Sequence, residues 1–147
     1  MKTGLPILIA VSLMIISSCS STKLSPANIL PGKWEGVSKK GKIIVLEFKT
    51  NQEVELIHGQ VKLKSAKGKR KVVYELDQSV SPNRIKLIIY QYNNLTTKPK
   101  TLGMIYKILA PDTILIAIGN SAVEYPESFE KVSPKDKTIL VKQAIAQ

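Results

Sequence analysis

Residues 71–90 read KVVYELDQSVSPNRIKLIIY, with apolar side chains at every second position on both sides of a Ser81-Pro82-Asn83 turn. The alternating apolar residues are Val72, Tyr74, Leu76, Ile85, Leu87 and Ile89. A period of two is that of a β-strand with one buried face, because successive side chains on a strand point to opposite faces. The stretch therefore predicts two antiparallel strands joined by a short turn.

Similar alternation extends in both directions, from Trp34 to Gly119, and turn residues separate the runs. The pattern predicts about eight short strands with hairpin-length connections and no helix between them. We therefore predict an all-β fold, in which an antiparallel meander closes into a small barrel of about eight strands. Closure pairs the edge strands, and a barrel of this size encloses room for side chains or for one small ligand.

The N-terminus has the features of an export signal. Lys2 precedes a largely apolar run from Leu5 to Ile16, which is about 18 Å long as a helix and too short to span a hydrocarbon core of about 30 Å. The run leads into Ile16-Ser17-Ser18-Cys19 and resembles the lipobox of bacterial lipoproteins. This resemblance implies cleavage between Ser18 and Cys19 and a diacylglycerol thioether on Cys19. The acyl chains would make the membrane a permanent partner.

The C-terminus departs from the strand pattern. Ser133-Pro134-Lys135-Asp136 has the form of a capping box with proline at the first helical position, so we predict a short terminal helix. The β-branched run between Thr138 and Val141 argues the other way. The predicted organisation is a signal peptide over 1–18, a lipidated cysteine and tether over 19–28, a barrel over 29–132 and a tail or short helix over 133–147.

Five short motifs, in order, resemble a largely uncharacterised family of small bacterial lipocalin-like domains that are often lipoproteins. They are Gly32-Lys33-Trp34, Tyr74-Glu75-Leu76-Asp77 with Pro82 to Leu87, Leu102 to Ile108, Asp112-Thr113-Ile114, and Pro126-Glu127-Ser128-Phe129. The resemblance implies a lipocalin-like barrel in which a basic side chain packs on Trp34. The family has an arginine where this chain has Tyr125, so the basic partner of Trp34 is not identified by the motifs.

The residue inventory argues against most catalytic and metal sites. One cysteine excludes an internal disulfide framework, and one histidine, His58, excludes paired-histidine metal sites. His58 lies beside a turn, no G-x-S-x-G nucleophile motif is present, and no glycine loop suited to phosphate occurs. Glu124, Glu127, Glu130 and Asp112 are the acids that a hydrolase would use, but no positioned base accompanies them. We predict no catalytic residues, no metal site, no cofactor and no enzymatic activity.

The chain is strongly basic, with 22 Lys plus Arg against 11 Asp plus Glu. Six cations lie within ten residues, namely Lys62, Lys64, Lys67, Lys69, Arg70 and Lys71. This cluster suits an anionic lipid or polymer surface, although lysines on a hairpin also serve to discourage edge pairing. No aromatic residue interleaves the cluster to stack bases, and the signal predicts export, so we expect no nucleic acid partner.

Two functions follow from these features. The first is a lipid-anchored binding module in the cell envelope, which holds a small apolar or amphipathic ligand inside the barrel. Its predicted lining residues are Leu46, Phe48, Leu56, Tyr74, Leu87, Ile89 and Tyr106. The alternative is a non-enzymatic structural or interaction lipoprotein with a solid barrel, whose basic face contacts an anionic envelope surface or a protein partner. Where the host has two membranes, Ser20 after the cysteine favours the outer one.

Overall fold

The structure is a computed structural model that describes residues 26–92, 98–119 and 125–144. It contains a one-turn helix α1 and nine strands. The helix is α1 (Pro26–Ile29), and the strands are β1 (Gly32–Val37), β2 (Ile43–Phe48), β3 (Val54–His58), β4 (Val61–Leu63), β5 (Arg70–Asp77), β6 (Asn83–Gln91), β7 (Lys100–Ala110), β8 (Thr113–Ile118) and β9 (Lys137–Lys142). In the described segments, no helix is long and apolar enough to cross a membrane.

The nine strands form one antiparallel sheet in the order β4-β3-β2-β1-β9-β8-β7-β6-β5. The sheet curls until its ends meet at β3. Leu56 to His58 pair with β4, while Glu53 just before β3 bridges to Val73 of β5, and the Tyr74 amide donates to the Gln52 carbonyl at 3.0 Å. The predicted all-β barrel is confirmed, in a nearly closed form with nine strands.

The barrel interior is one continuous hydrophobic cluster. Every strand from β1 to β3 and from β5 to β9 contributes to it, with side chains from alternate positions as the sequence pattern predicts. Its largest fully buried members are Trp34, Tyr106 and Phe48. Burial of this apolar surface is the main force that holds the sheet in its closed form.

The C-terminal segment is not the predicted helix. Only Pro134–Asp136 forms a single 3-10 turn, and Ser133 makes no side-chain capping hydrogen bond. Lys137–Lys142 is strand β9, which lies between β1 and β8 and pairs with both. The β-branched residues of this segment suit a strand, and its burial between two partners outweighs the local helix signal. The barrel therefore extends to Lys142.

Trp34 finds its basic partner on β9. The Lys142 ammonium lies 5.4 Å from the centre of the Trp34 ring and donates to the Ile29 carbonyl at 2.7 Å. The indole Nε1–H of Trp34 donates to the Leu30 carbonyl at 2.7 Å. Tyr125 lies elsewhere, with its ring 4.8 Å from the Arg84 guanidinium carbon. One cation thus joins the first strand, the last strand and α1.

Close contact between β1 and β9 requires glycine at position 36. A Cβ atom there would lie 2.2 Å from the Ile139 carbonyl oxygen and 2.9 Å from a Leu140 methyl carbon. The backbone oxygen cannot rotate away as a flexible side chain would. We expect Gly36→Ala to lower the free energy of unfolding by about 2–3 kcal/mol, measured by urea denaturation, because the strands must separate to admit the methyl group.

Gly41→Ala is the matched control. Gly41 has a φ of +72° but no atom within 4 Å of a Cβ, so this substitution meets backbone strain without a collision. We expect a loss of about 1 kcal/mol at this position. Equal losses at the two glycines would contradict the close approach of β1 and β9.

Candidate functional site

The seven residues predicted to line a ligand cavity all belong to the interior cluster or pack against it. Leu46, Phe48, Leu56, Tyr74, Leu87 and Tyr106 are buried, and Ile89 is partly buried against them. They contact one another closely, as in the edge-to-face pair of Phe48 and Tyr74 with ring centres 5.0 Å apart. At these positions the barrel is filled by its own side chains. Ligand lining by these residues stays a prediction.

One polar atom interrupts this apolar interior. The hydroxyl of Tyr106 is buried and, within the described part of the chain, has no hydrogen-bond partner. Burial raises the pKa of Tyr106 from 10.0 to about 12, because the phenolate would lose its hydration. Tyr74, in contrast, donates its hydroxyl to the Lys49 carbonyl at 3.3 Å.

This difference gives a test with tyrosine-to-phenylalanine variants. An unpaired buried hydroxyl opposes folding, so Tyr106→Phe should raise the free energy of unfolding by about 1 kcal/mol at neutral pH. Tyr74→Phe, which removes a hydrogen bond, should lower it by a similar amount. Chemical denaturation of the two variants measures both changes. A loss of stability in Tyr106→Phe would mean that the hydroxyl has a partner in solution.

Alkaline pH adds a second readout for the same variant. The folded-state pKa of Tyr106 is raised above that of the unfolded chain, so its titration leaves stability unchanged below pH 10 and lowers it as the pH rises towards about 12. The full loss is about 3 kcal/mol for two pKa units. Tyr106→Phe should show less alkaline destabilisation than the unmodified chain, and this comparison cancels the titration of the lysines.

One open end of the barrel holds a cleft of about 330 Å³. Its floor is apolar, with Ile44, Ile116 and Ile118, and its rim is polar, with Lys42 and Lys135. Cations above an apolar floor suit a small amphiphile with an anionic head. The cleft is therefore one place where the described structure offers space to a small ligand.

The same cleft contains Ser38, His58 and Asp136, the residue types of a hydrolytic triad. Their hydrogen bonds do not form one. The Ser38 Oγ accepts from the Lys42 amide at 3.2 Å, and the Asp136 carboxylate pairs with Lys40 at 3.1 Å. A triad requires the histidine to bond both the nucleophile and the acid. The described contacts join His58 to neither.

Of the acids considered for a hydrolase, the three that the structure describes are exposed and have polar partners. Glu127 forms an ion pair with Lys131 that lowers the pKa of its carboxyl, and a hydrogen bond with Ser128 lowers the pKa of Glu130. Asp112 accepts a hydrogen bond from the Thr113 hydroxyl. A general acid needs a raised pKa, so the lowered pKa of Glu127 and of Glu130 is the opposite arrangement. Glu124 lies outside the described residues, among which no group of three metal-ligating side chains occurs.

The predicted anionic-surface residues lie where β4 leaves the barrel and β5 enters it. Five are exposed, namely Lys62, Lys64, Lys67, Lys69 and Lys71. Arg70 is half-buried, and its Nε donates to the Lys64 carbonyl at 2.9 Å, which fixes the guanidinium over the turn. We call these six residues the basic cluster. None of the ion pairs among the described residues involves a member of it.

Two tyrosines that the charge pattern of the sequence does not indicate complete this surface. β5 and β6 pair so that Lys71 lies opposite Tyr90, and the Tyr92 amide donates to the Lys69 carbonyl at 3.0 Å. Tyr90 is 42% exposed and Tyr92 is 47% exposed. The sequence contains the information that would have identified Tyr90. If the two predicted strands are paired outward from the Ser81-Pro82-Asn83 turn, Tyr90 lies beside the cations.

No family model, curated protein or solved structure matches this chain. The likeness to lipocalin-like domains and to lipoproteins therefore stays a prediction from the motifs. Ser18 and Cys19, which bear the predicted cleavage and lipidation, lie outside the described residues.

Proposed function

We propose that this protein is a lipid-anchored envelope lipoprotein that works as a non-enzymatic interaction module, with the basic cluster held against an anionic surface. The observation that supports this most directly is the contrast between the two candidate sites. The predicted lining residues are packed against one another inside the barrel, whereas the five lysines of the basic cluster are exposed to solvent.

The charge of the cluster is sufficient for such a role. Near an anionic lipid surface each cation contributes roughly 1 kcal/mol, so several acting together give useful affinity to a protein that is already anchored. The anchor would confine the barrel to the membrane and raise the effective concentration of the basic cluster at nearby surfaces. An anchored protein therefore needs only weak contacts.

The test uses a generic anionic surface, a carboxylate cation-exchange resin. We expect neutralisation of the basic cluster to glutamine at all six positions to lower the salt concentration of elution strongly, because clustered charges act on one surface together. The control neutralises six exposed lysines that are dispersed over the barrel, namely Lys33, Lys39, Lys42, Lys107, Lys131 and Lys135. Both variants lose the same charge, so equal shifts would refute a distinct basic face.

A second candidate function is the binding of a small amphipathic ligand, and the cleft that contains Ile44 and Ile116 favours it. The ligand would lie at the barrel end, with its tail on the isoleucines and an anionic head near Lys42. Native mass spectrometry before and after organic extraction tests this function. A reproducible extractable mass supports it, and its loss on Ile118→Lys, at a partly buried position, with an unchanged circular dichroism spectrum would assign the ligand to this cleft.

A further inference from the structure

Two surface clefts meet beside the basic cluster. One, of about 540 Å³, has Asn51, Gln52, Tyr90, Gln91 and Glu75 among its lining residues. The other, of about 560 Å³, has Glu53, Ser65, Lys67 and Arg70. Lys71 and Tyr92 line both, so the two clefts form one continuous surface, which we call the β5–β6 groove.

The first half of the groove is aromatic and rich in amides. Tyr90 lies near the end of β6, Tyr92 follows the last residue of that strand, and both line the same surface cleft. Their exposure leaves apolar ring surface in water, a feature that is common at recognition sites. Asn51 and Gln52 add side-chain groups that both donate and accept hydrogen bonds.

The second half is cationic. Lys67, Arg70 and Lys71 line it, and the hydrogen bond of Arg70 to the Lys64 carbonyl holds the guanidinium in place. Glu53 is the acid among its lining residues, so positive charge predominates. A ligand that lies along the groove would therefore meet flat aromatic surface and amides first, and then cations.

We infer that the β5–β6 groove binds an acidic glycan, with sugar rings against Tyr90 and Tyr92 and acid groups against Lys67, Arg70 and Lys71. Sugar rings present C–H faces that pack on aromatic rings and hydroxyls that bond to amides. Glu75 in the aromatic half pairs with Lys86 at 3.4 Å, and its carboxylate can also accept hydrogen bonds from sugar hydroxyls. The inference rests on the proposed function and specifies the chemistry of its anionic surface.

The test measures binding of a polyuronate oligosaccharide by calorimetry, with a neutral glucan oligosaccharide of equal length as the comparison ligand. The protein is purified as its host processes it, in a neutral detergent. We expect Y90A/Y92A to weaken polyuronate binding about tenfold or more, and Y90F/Y92F, which keeps the rings, to stay within about threefold. K67Q/R70Q/K71Q should abolish the preference for polyuronate over glucan. Unchanged circular dichroism spectra would show that the variants are folded.

Each result separates the inference from the proposed function. Y90A/Y92A could bind polyuronate as tightly as the unmodified protein while K67Q/R70Q/K71Q loses binding. This result would overturn the glycan inference and leave the proposed function of the basic cluster intact. If the unmodified protein binds no polyuronate, or if a single-stranded oligonucleotide or an anionic phosphatidylglycerol vesicle binds more tightly through the same tyrosines, the inference is likewise overturned. If neither Y90A/Y92A nor K67Q/R70Q/K71Q changes the binding of polyuronate, both the glycan inference and the proposed role of the basic cluster fail.

Discussion

Replacing Cys19 with serine is expected to move the protein from the membrane fraction to the soluble fraction of the host. The proposed thioether attaches two acyl chains, and burial contributes about 0.8 kcal/mol for each CH₂ group. Two long chains together give on the order of 20 kcal/mol, which makes dissociation negligible on a cellular timescale. Serine has no thiol to accept the diacylglycerol, so this anchor is lost and the variant should lack the lipid in its intact mass.

The measurement combines fractionation with intact mass. The unmodified chain should be found in membranes, with a mass that corresponds to loss of residues 1–18 and addition of the lipid. The matched control is Ser20→Ala, which changes a neighbouring hydroxyl and should leave both results unaltered. If the Cys19→Ser protein stayed in membranes with the same intact mass as the unmodified chain, the proposed anchor would be wrong.

The fold class was predictable because one rule applies along most of the chain. A strand that buries one face must alternate apolar and polar side chains. Residues such as Leu46 and Leu87 lie inside the barrel, where this alternation places them. The rule failed at Lys137–Lys142, where a local capping pattern suggested a helix. The strand state of β9 depends on its two neighbours, β1 and β8, and β1 is more than a hundred residues distant along the chain. A local pattern does not contain that information.

The candidate site was predictable only where its residues are neighbours in the sequence. A charge cluster that is contiguous in sequence, such as Lys67 to Lys71, is visible without a structure. Tyr90 and Tyr92 join it across a strand pair, and Lys142 reaches Trp34 from the far end of the chain. Filling of the interior was also undecided, because alternation identifies inward residues but does not fix how closely they pack.

Trp34→Ala is expected to have the largest effect on folding stability. Trp34 is fully buried among the interior side chains, donates to the Leu30 carbonyl at 2.7 Å and lies beneath Lys142. Removing the indole leaves a large cavity and an unsatisfied carbonyl. We expect a loss of about 3–5 kcal/mol in the free energy of unfolding, which is a large fraction of the total stability of a typical domain. Chemical denaturation at neutral pH measures it.

Lys142→Met measures the contribution of the lysine charge to stability without creating the large cavity of Trp34→Ala, by the same denaturation experiment. Methionine keeps apolar length above the ring but removes the charge and the hydrogen bond to the Ile29 carbonyl, so we expect a loss of about 2 kcal/mol. Because the two residues are in contact, the double variant should lose less than the sum of the single losses. Lys33→Met is the control, since the exposed Lys33–Glu35 pair at 3.7 Å should contribute less than about 1 kcal/mol. Strictly additive losses at Trp34 and Lys142 would mean that the lysine stabilises α1 alone, and that the first and last strands are held together by the sheet and the core without this cation.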